Sequence, residues 1–142
     1  MSWPARIRGW MAERFPKKSL GDRGEDAAAK FLKRQGYHIL ARHFDSPLGE
    51  LDIVAVDGRT VVFVEVKTRR SEDAGRPSDA IDAHKEQRMT QAALGYLKSN
   101  RLMGYSARFD VVAITWPDDE TRPAIEHFKN AFSAVGVGQF FS

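Results

Sequence analysis

With 142 residues, 42% of them hydrophobic and 29% charged, the chain is long enough for one domain with a real core and has the composition of an ordinary soluble globular protein. It holds no Cys, which excludes disulfides, thiolate zinc sites and cysteine nucleophiles. No stretch approaches the ~20 apolar residues of a membrane span or the apolar core of a signal peptide, so a cytoplasmic protein without integral membrane association is expected.

The charge is unevenly placed: residues 1–20 sum to +4, more than the +3 of the whole chain. This leader carries Arg6, Arg8, Arg14, Lys17 and Lys18, with Trp3, Ile7, Trp10, Met11 and Phe15 on roughly one helical stripe. Such a segment suits nucleic-acid phosphates, a membrane surface, the domain itself or a second copy of the chain in a homodimer. The domain is expected over residues 21–132, with 133–142 as a C-terminal tail. Gly21 to Gln35 reads as a helix, with Ser19 or Asp22 as N-cap and Gly36 as the stop. On a helical wheel Ala28, Ala29 and Leu32 lie within about 60° of Glu25, so an acid shares the inward stripe. Tyr37 to Phe44 reads as a strand and "DSPLG" (45–49) as a turn. Leu51 to Val56 and Thr60 to Thr68 are apolar on both faces, as central strands covered by helices are. After the polar loop 69–79 comes a second helix, Ile81 to Lys98, capped by Ser78 or Asp79. Its stripe of Ile81, Met89, Ala92 and Tyr96 includes Lys85. Arg108 to Thr115 is a strand, 115–123 a loop, and Ala124 to Phe128 a short last strand. The order αβββαββ predicts an α/β sandwich with a mixed central sheet, since the hairpin rules out a purely parallel one.

The hairpin "GELDIVAVDGRTVVFVEVKTRR" (49–70) sets Asp52, Glu65 and Lys67 among Val, Ile and Phe. A charge leaving water must be paired, hydrogen-bonded or bound to a metal. Strand alternation puts Glu65 and Lys67 on one face with Val61 and Phe63. A two-residue turn at Asp57-Gly58 would pair Val56 with Arg59 and Asp52 with Phe63. Glu65 is then the diagonal neighbour of Asp52, about 7–8 Å away along the backbone, close enough for two carboxylates to share one cation. Oxygen donors without His or Cys suit Mg²⁺ or Mn²⁺ rather than Zn²⁺, and such an ion supports phosphodiester hydrolysis. Lys67, held protonated by the acids, reads as an electrostatic clamp on the phosphate and attacking water. His38, His43, His84 and His127 lack metal-motif spacing and are read as structural or surface residues. Asp110 reads as a structural acid paired with Arg108 or Arg42. The chain has no G-x-S-x-G elbow, no phosphate-binding Gly-rich loop with a Lys and no zinc motif.

The segments "GDRGEDAAAKFLKRQGYHILARHF", "SPLGELDIVAVDGRTVVFVEVKTR", "RFDVVAI" and "IEHFKNAF" resemble the YraN-like family of predicted endonucleases, related to the archaeal Holliday junction resolvases. The resemblance covers about residues 20–132. It implies the restriction-endonuclease-like fold, with an active site written as an acid, then D, then E-x-K. Carried over by motif, these are Glu25, Asp52, Glu65 and Lys67, with Asp52 and Glu65 as metal ligands and Glu50 in a secondary role. A polar residue on the next helix, Lys85 or Gln87, would assist. Phosphate contacts are expected from Arg69, Arg70, Arg76, Lys85 and Arg88. Two function classes follow. The first is a Mg²⁺-dependent endonuclease on DNA, with branched or junction DNA among its substrates. The second is a nucleic-acid-binding module of the same fold that acts with a partner and cleaves nothing.

Overall fold

A computed structural model of the chain describes residues 18–71, 73 and 81–134. The basic leader up to residue 17, Arg76, and the expected caps Ser78 and Asp79 lie outside the described residues. The elements are α1 (Leu20–Arg34), β1 (His38–Ser46), β2 (Gly49–Asp57), β3 (Thr60–Arg69), α2 (Ala83–Ser99), β4 (Ser106–Thr115) and β5 (Ala124–Phe132). The five strands form one sheet in the order β1-β2-β3-β4-β5. Only the β3-β4 pair is parallel. A parallel neighbour cannot be reached by a tight turn, and α2 supplies the crossover. The result is the expected αβββαββ restriction-endonuclease-like sandwich with a mixed sheet.

Among the described residues each sheet face is closed by one helix. On one side Leu51, Val61, Phe63 and Phe109 pack against Met89, Ala92, Ala93, Tyr96 and Leu97 of α2. On the other, Ile53, Ala55, Val62, Val64, Val112 and Ile114 pack against Ala28, Ala29 and Leu32 of α1. β2 and β3 are therefore buried on both faces, as their continuous apolar runs require.

The helix ends follow their local chemistry. Ser19 Oγ accepts the Asp22 N–H at 3.1 Å, and Gly36 takes a positive φ of 94° just past the end of α1. α2 starts later than the sequence pattern suggests, because Asp82 is the cap and accepts the Lys85 N–H at 2.8 Å. β5 runs on to Phe132, beyond the expected Phe128. Its far end is held by tertiary contact, with Phe132 stacked on Phe109 at 4.6 Å between ring centroids.

The hairpin register differs from the expected one by two residues. Asp57 pairs with Thr60 and Val56 with Val61, so the loop is Gly58-Arg59, with Gly58 at φ 61°. Asp57 stays in the strand because its carboxylate is held by Arg108 Nη2 at 3.0 Å. Phe63 therefore faces Val54 rather than Asp52, and Ile53 with Val64 is the last pair towards the strand ends that carry the acids. Asp110, fully buried, pairs with Arg108 as expected, at 3.0 Å. It also meets His127 Nε2 at 2.8 Å and accepts the Asn130 N–H at 2.9 Å.

α1 lies very close to β3. A Cβ built on Gly24 would sit 1.9 Å from Thr68 Oγ1 and 2.8 Å from Thr68 Cβ. Thr68 is short and branched at Cβ, so the helix itself would have to move. Gly24→Ala should therefore lower stability by about 1–2 kcal/mol: so close an approach belongs in the upper part of the usual overpacking cost, about 2–3 kcal/mol, and the roughly 1 kcal/mol gained in helix propensity offsets only part of it. Thermal melts of the two proteins check this, and an unchanged or higher midpoint would contradict it.

Candidate active site

The site lies where two neighbouring strands break their alternation together. In β1, Ala41 and Phe44 both pack on the α2 side, so the two residues between them share the other face. Arg42 and His43 accordingly both reach Glu25 of α1, with Arg42 Nε at 3.3 Å and His43 Nε2 at 3.0 Å from the same carboxylate oxygen. Consecutive side chains of a regular strand point to opposite faces. His43 achieves the exception with a left-handed backbone, φ 53°, which is costly for a residue with a Cβ. In β2, Leu51 and Val54 are likewise both on the α2 side, with Asp52 and Ile53 between them. The two breaks face each other, because His43 and Asp52 lie between the pairs Arg42–Ile53 and Phe44–Leu51.

Asp52 thus leaves the regular ladder just where β2 and β3 stop pairing. Its Oδ2 accepts the Val66 N–H at 2.8 Å, taking the place of a strand carbonyl. This holds Asp52 against β3 beside Glu65, close enough for the two carboxyls to interact, though not in the diagonal arrangement expected from the turn. Glu65 points to the α2 side, where Lys85 Nζ donates to its Oε1. Asp82 caps α2 through the Lys85 N–H and so fixes the turn that delivers this ammonium. The opposite wall is equally tight: a Cβ on Gly49 would lie 2.8 Å from the Arg88 carbonyl oxygen, so β2 starts directly against the α2 backbone.

The resulting cleft has a volume of about 400 Å³ and is lined by Glu50, Asp52, Glu65, Asp82, His84, Lys85 and Arg88, with Met89 at its base. Its electrostatics are those of crowded acids. Burial raises the Glu65 carboxyl to about 7; Asp52 beside it acts in the same direction and the Lys85 ammonium opposes. Glu25, on the other side of the sheet, is also raised, chiefly by burial; His43 opposes this, Asp52 adds to it, and Arg42 opposes it. Asp52 is therefore felt by both acids and links the two sheet faces.

The structure brings some of the expected residues together and separates others. Asp52, Glu65, Lys85 and Arg88 share the cleft, and Glu50 lines it too. Lys67 is half-buried, two residues beyond the buried Glu65 on β3, and is not among the residues lining the cleft. Of the two candidates on α2, Lys85 makes the contact, whereas Gln87 is exposed. Glu25 is buried as the helical wheel indicates, but it is held by Arg42 and His43 on the α1 side rather than in the cleft. Arg69 and Arg70 sit at the end of β3 instead, with Arg69 Nε 3.5 Å from Thr115 Oγ1 and Arg70 Nη2 2.9 Å from Asp119. His43, expected to be an ordinary structural or surface residue, instead braces Glu25; no Gly or Asn marks its left-handed position, and no sequence period signals it. Among the described residues no group of three or more His, Asp or Glu side chains converges to hold a metal ion. Asp52 and Glu65 are two hard oxygen donors, and the Lys85 ammonium shows that a cation is accommodated there. Mg²⁺ commonly takes one or two protein carboxylates and completes its shell with water and substrate phosphate, so this donor set fits it.

The profile of the Uncharacterised protein family UPF0102 matches residues 24–114. The chain belongs to this family. A UPF0102 protein of Rhodopirellula baltica is 45% identical over 144 residues, covering 96% of this chain and 86% of the relative. One from Geobacter sulfurreducens is 49% identical over 115 residues, covering 81% and 89%. One from Moorella thermoacetica is 46% identical over 117 residues, covering 82% and 97%. The UPF0102 match begins at Gly24 and ends at Ile114, so it spans Glu25, Asp52, Glu65, Lys67 and Lys85. No helix among the described residues is long and apolar enough to cross a membrane.

Proposed function

We propose that this UPF0102 protein is a Mg²⁺- or Mn²⁺-dependent endonuclease that hydrolyses phosphodiester bonds in DNA. The observation that carries the reading is the meeting of Asp52 and Glu65 in one cleft, with Lys67 two residues on and Lys85 across from them. Two acids forced together against an apolar sheet are costly to a fold, and phosphoryl chemistry is a use that rewards the arrangement. Asp52 and Glu65 would hold the ion, which when bound polarises the phosphodiester and activates water. Lys67 sets a positive charge where the phosphate gains negative charge in the transition state. Glu25, braced by Arg42 and His43, orders the strands that carry Asp52. Arg88 at the cleft mouth, and Arg69 and Arg70 beyond it, attract the DNA backbone.

The direct test is single-turnover cleavage of labelled junction, flap and duplex DNA with and without Mg²⁺. Metal-dependent cleavage of at least one substrate, lost in Asp52→Asn, is expected. No cleavage of any of them by the folded protein with either ion would overturn the reading. A second expectation concerns Lys85, whose ammonium competes for Glu65 with any incoming ion. Lys85→Met removes that competitor while keeping an unbranched apolar stem, so calorimetry at about pH 9, where Glu65 is ionised, should show divalent-ion affinity rising by about tenfold or more, the effect expected when one ion pair is replaced by a free carboxylate. Unchanged or weaker affinity would place the ion elsewhere.

A further inference from the structure

We infer that the groove between α1 and the segment after β4 binds a single strand of nucleic acid, seating a base at Trp116 and phosphates along α1. The groove holds about 340 Å³ and is lined by Arg23, Lys30, Arg34, Trp116, Pro123 and Ile125, with Asp26 and Ala27 on its wall. Trp116 is fixed at two points: its backbone N–H donates to the Arg69 carbonyl at 2.8 Å, and its indole Nε1 donates to the Thr121 carbonyl at 2.7 Å. The Arg23 guanidinium lies over the indole at 4.3 Å from the ring centroid. Trp116 is half-buried against the α1-side core and the guanidinium covers the ring face it lies over, so a base entering the groove stacks on that planar cation with the indole beneath it.

The charge pattern continues from there. Arg23, Lys30 and Arg34 are spaced seven and then four residues apart, which puts them on one face of α1 over roughly 16 Å. Asp119 already pairs with Arg23 and Arg70. Asp26, the acid in the wall, is occupied by Lys18 and Arg42. Lys30 and Arg34 are exposed and form no ion pair among the described residues. A duplex offers phosphates but keeps its bases stacked inside, so an aromatic shelf gains nothing from it. A single strand uses both features.

The position fits a flank of the proposed substrate. Trp116 is bonded to Arg69, and Gly24, next to Arg23, lies against Thr68. Both neighbours follow Lys67 on β3, so the Trp116 end of the groove lies at the same end of the strand as the cleft, on the opposite, α1-covered face of the sheet. This placement rests on the nuclease reading; the binding itself does not. It also assigns a substrate class, DNA with an unpaired segment that passes round the end of the sheet from the cut.

The test uses the metal-free full chain carrying Trp3→Phe and Trp10→Phe, which leaves Trp116 as its one tryptophan. Titration with a short oligothymidylate should quench its fluorescence saturably, and a blunt duplex of equal length should quench it little. Adding Lys30→Glu and Arg34→Glu should weaken oligothymidylate binding by at least tenfold. It should also flatten the slope of log K against log salt by about 1.4, since each phosphate contact on a single strand contributes about −0.7. Absent quenching, equal quenching by the duplex, or unaltered affinity after the charge reversals would each overturn the proposal. Quenching without Mg²⁺- or Mn²⁺-dependent cleavage would remove the nuclease reading and keep this one. Cleavage without quenching would do the reverse.

Discussion

Glu65→Gln should make the metal-free protein more stable at pH 8, by on the order of 3 kcal/mol or 10 °C in the unfolding midpoint. Burial holds the native carboxyl at about 7 against an ordinary value of 4.5, so between those values the folded chain binds a proton that the unfolded chain has released. Stability from this group is fully present below about pH 4.5 and is lost as the pH rises through about 7. The amide of the variant stays neutral throughout, so the two proteins should converge near pH 4.5 and separate above pH 7. Lys85 loses its partner in the variant, but its side chain is 38% exposed and water can take over. Adding Mg²⁺ should reverse the order at pH 8, because an ion that binds the folded wild type stabilises it by mass action and the amide binds the ion poorly. A variant less stable than wild type at pH 8 without metal would show that Glu65 is a structural ion-pair partner and not a strained ligand. Functional sites commonly trade stability in this way.

Lys67→Ala should lower single-turnover cleavage by about 10²–10³-fold while leaving DNA binding within a few-fold. The first number is the usual loss when one preorganised group facing transition-state charge is removed. The second follows from binding being shared among many cations, including Arg69, Arg70 and Arg88, so that one fewer makes little difference. Gel-shift and cleavage assays on the same labelled substrates separate the two quantities. A parallel fall in both would favour the alternative of a nucleic-acid-binding module that acts with a partner. Asp52→Asn should match Lys67→Ala in cleavage but differ in calorimetry, where it alone removes divalent-ion binding.

Much of this architecture is written in short-range patterns. The same-face relation of Glu65 and Lys67 needs only the two-residue period of a strand, and the burial of Glu25 needs only the period of a helix. Ser19 as a cap and Gly36 as a stop are equally local, and the double-sided apolar runs of β2 and β3 place them inside the sheet without reference to any distant residue. The turn register is not local in the same way, because "DG" marks a turn without saying which two residues form it. The outcome depended on Arg108, 51 residues from Asp57, drawing that carboxylate into the strand.

What only the tertiary structure decided has one physical origin, contacts between residues far apart in the chain. The left-handed turn at His43 is unfavourable locally and persists because Glu25 on α1 and the facing break at Asp52 hold it. Lys85 reaches Glu65 only after α2 has crossed the sheet, and Trp116 meets Arg23 only because α1 lies against β3 without a Cβ at Gly24. The sequence by itself determined which acids and cations lie on which element and, outside the paired breaks at His43 and Asp52, on which face, since side-chain direction in a regular element is a property of the local backbone. Which of them meet across the sheet was decided by packing, because helix and strand periodicity carry no information about the partner on another element.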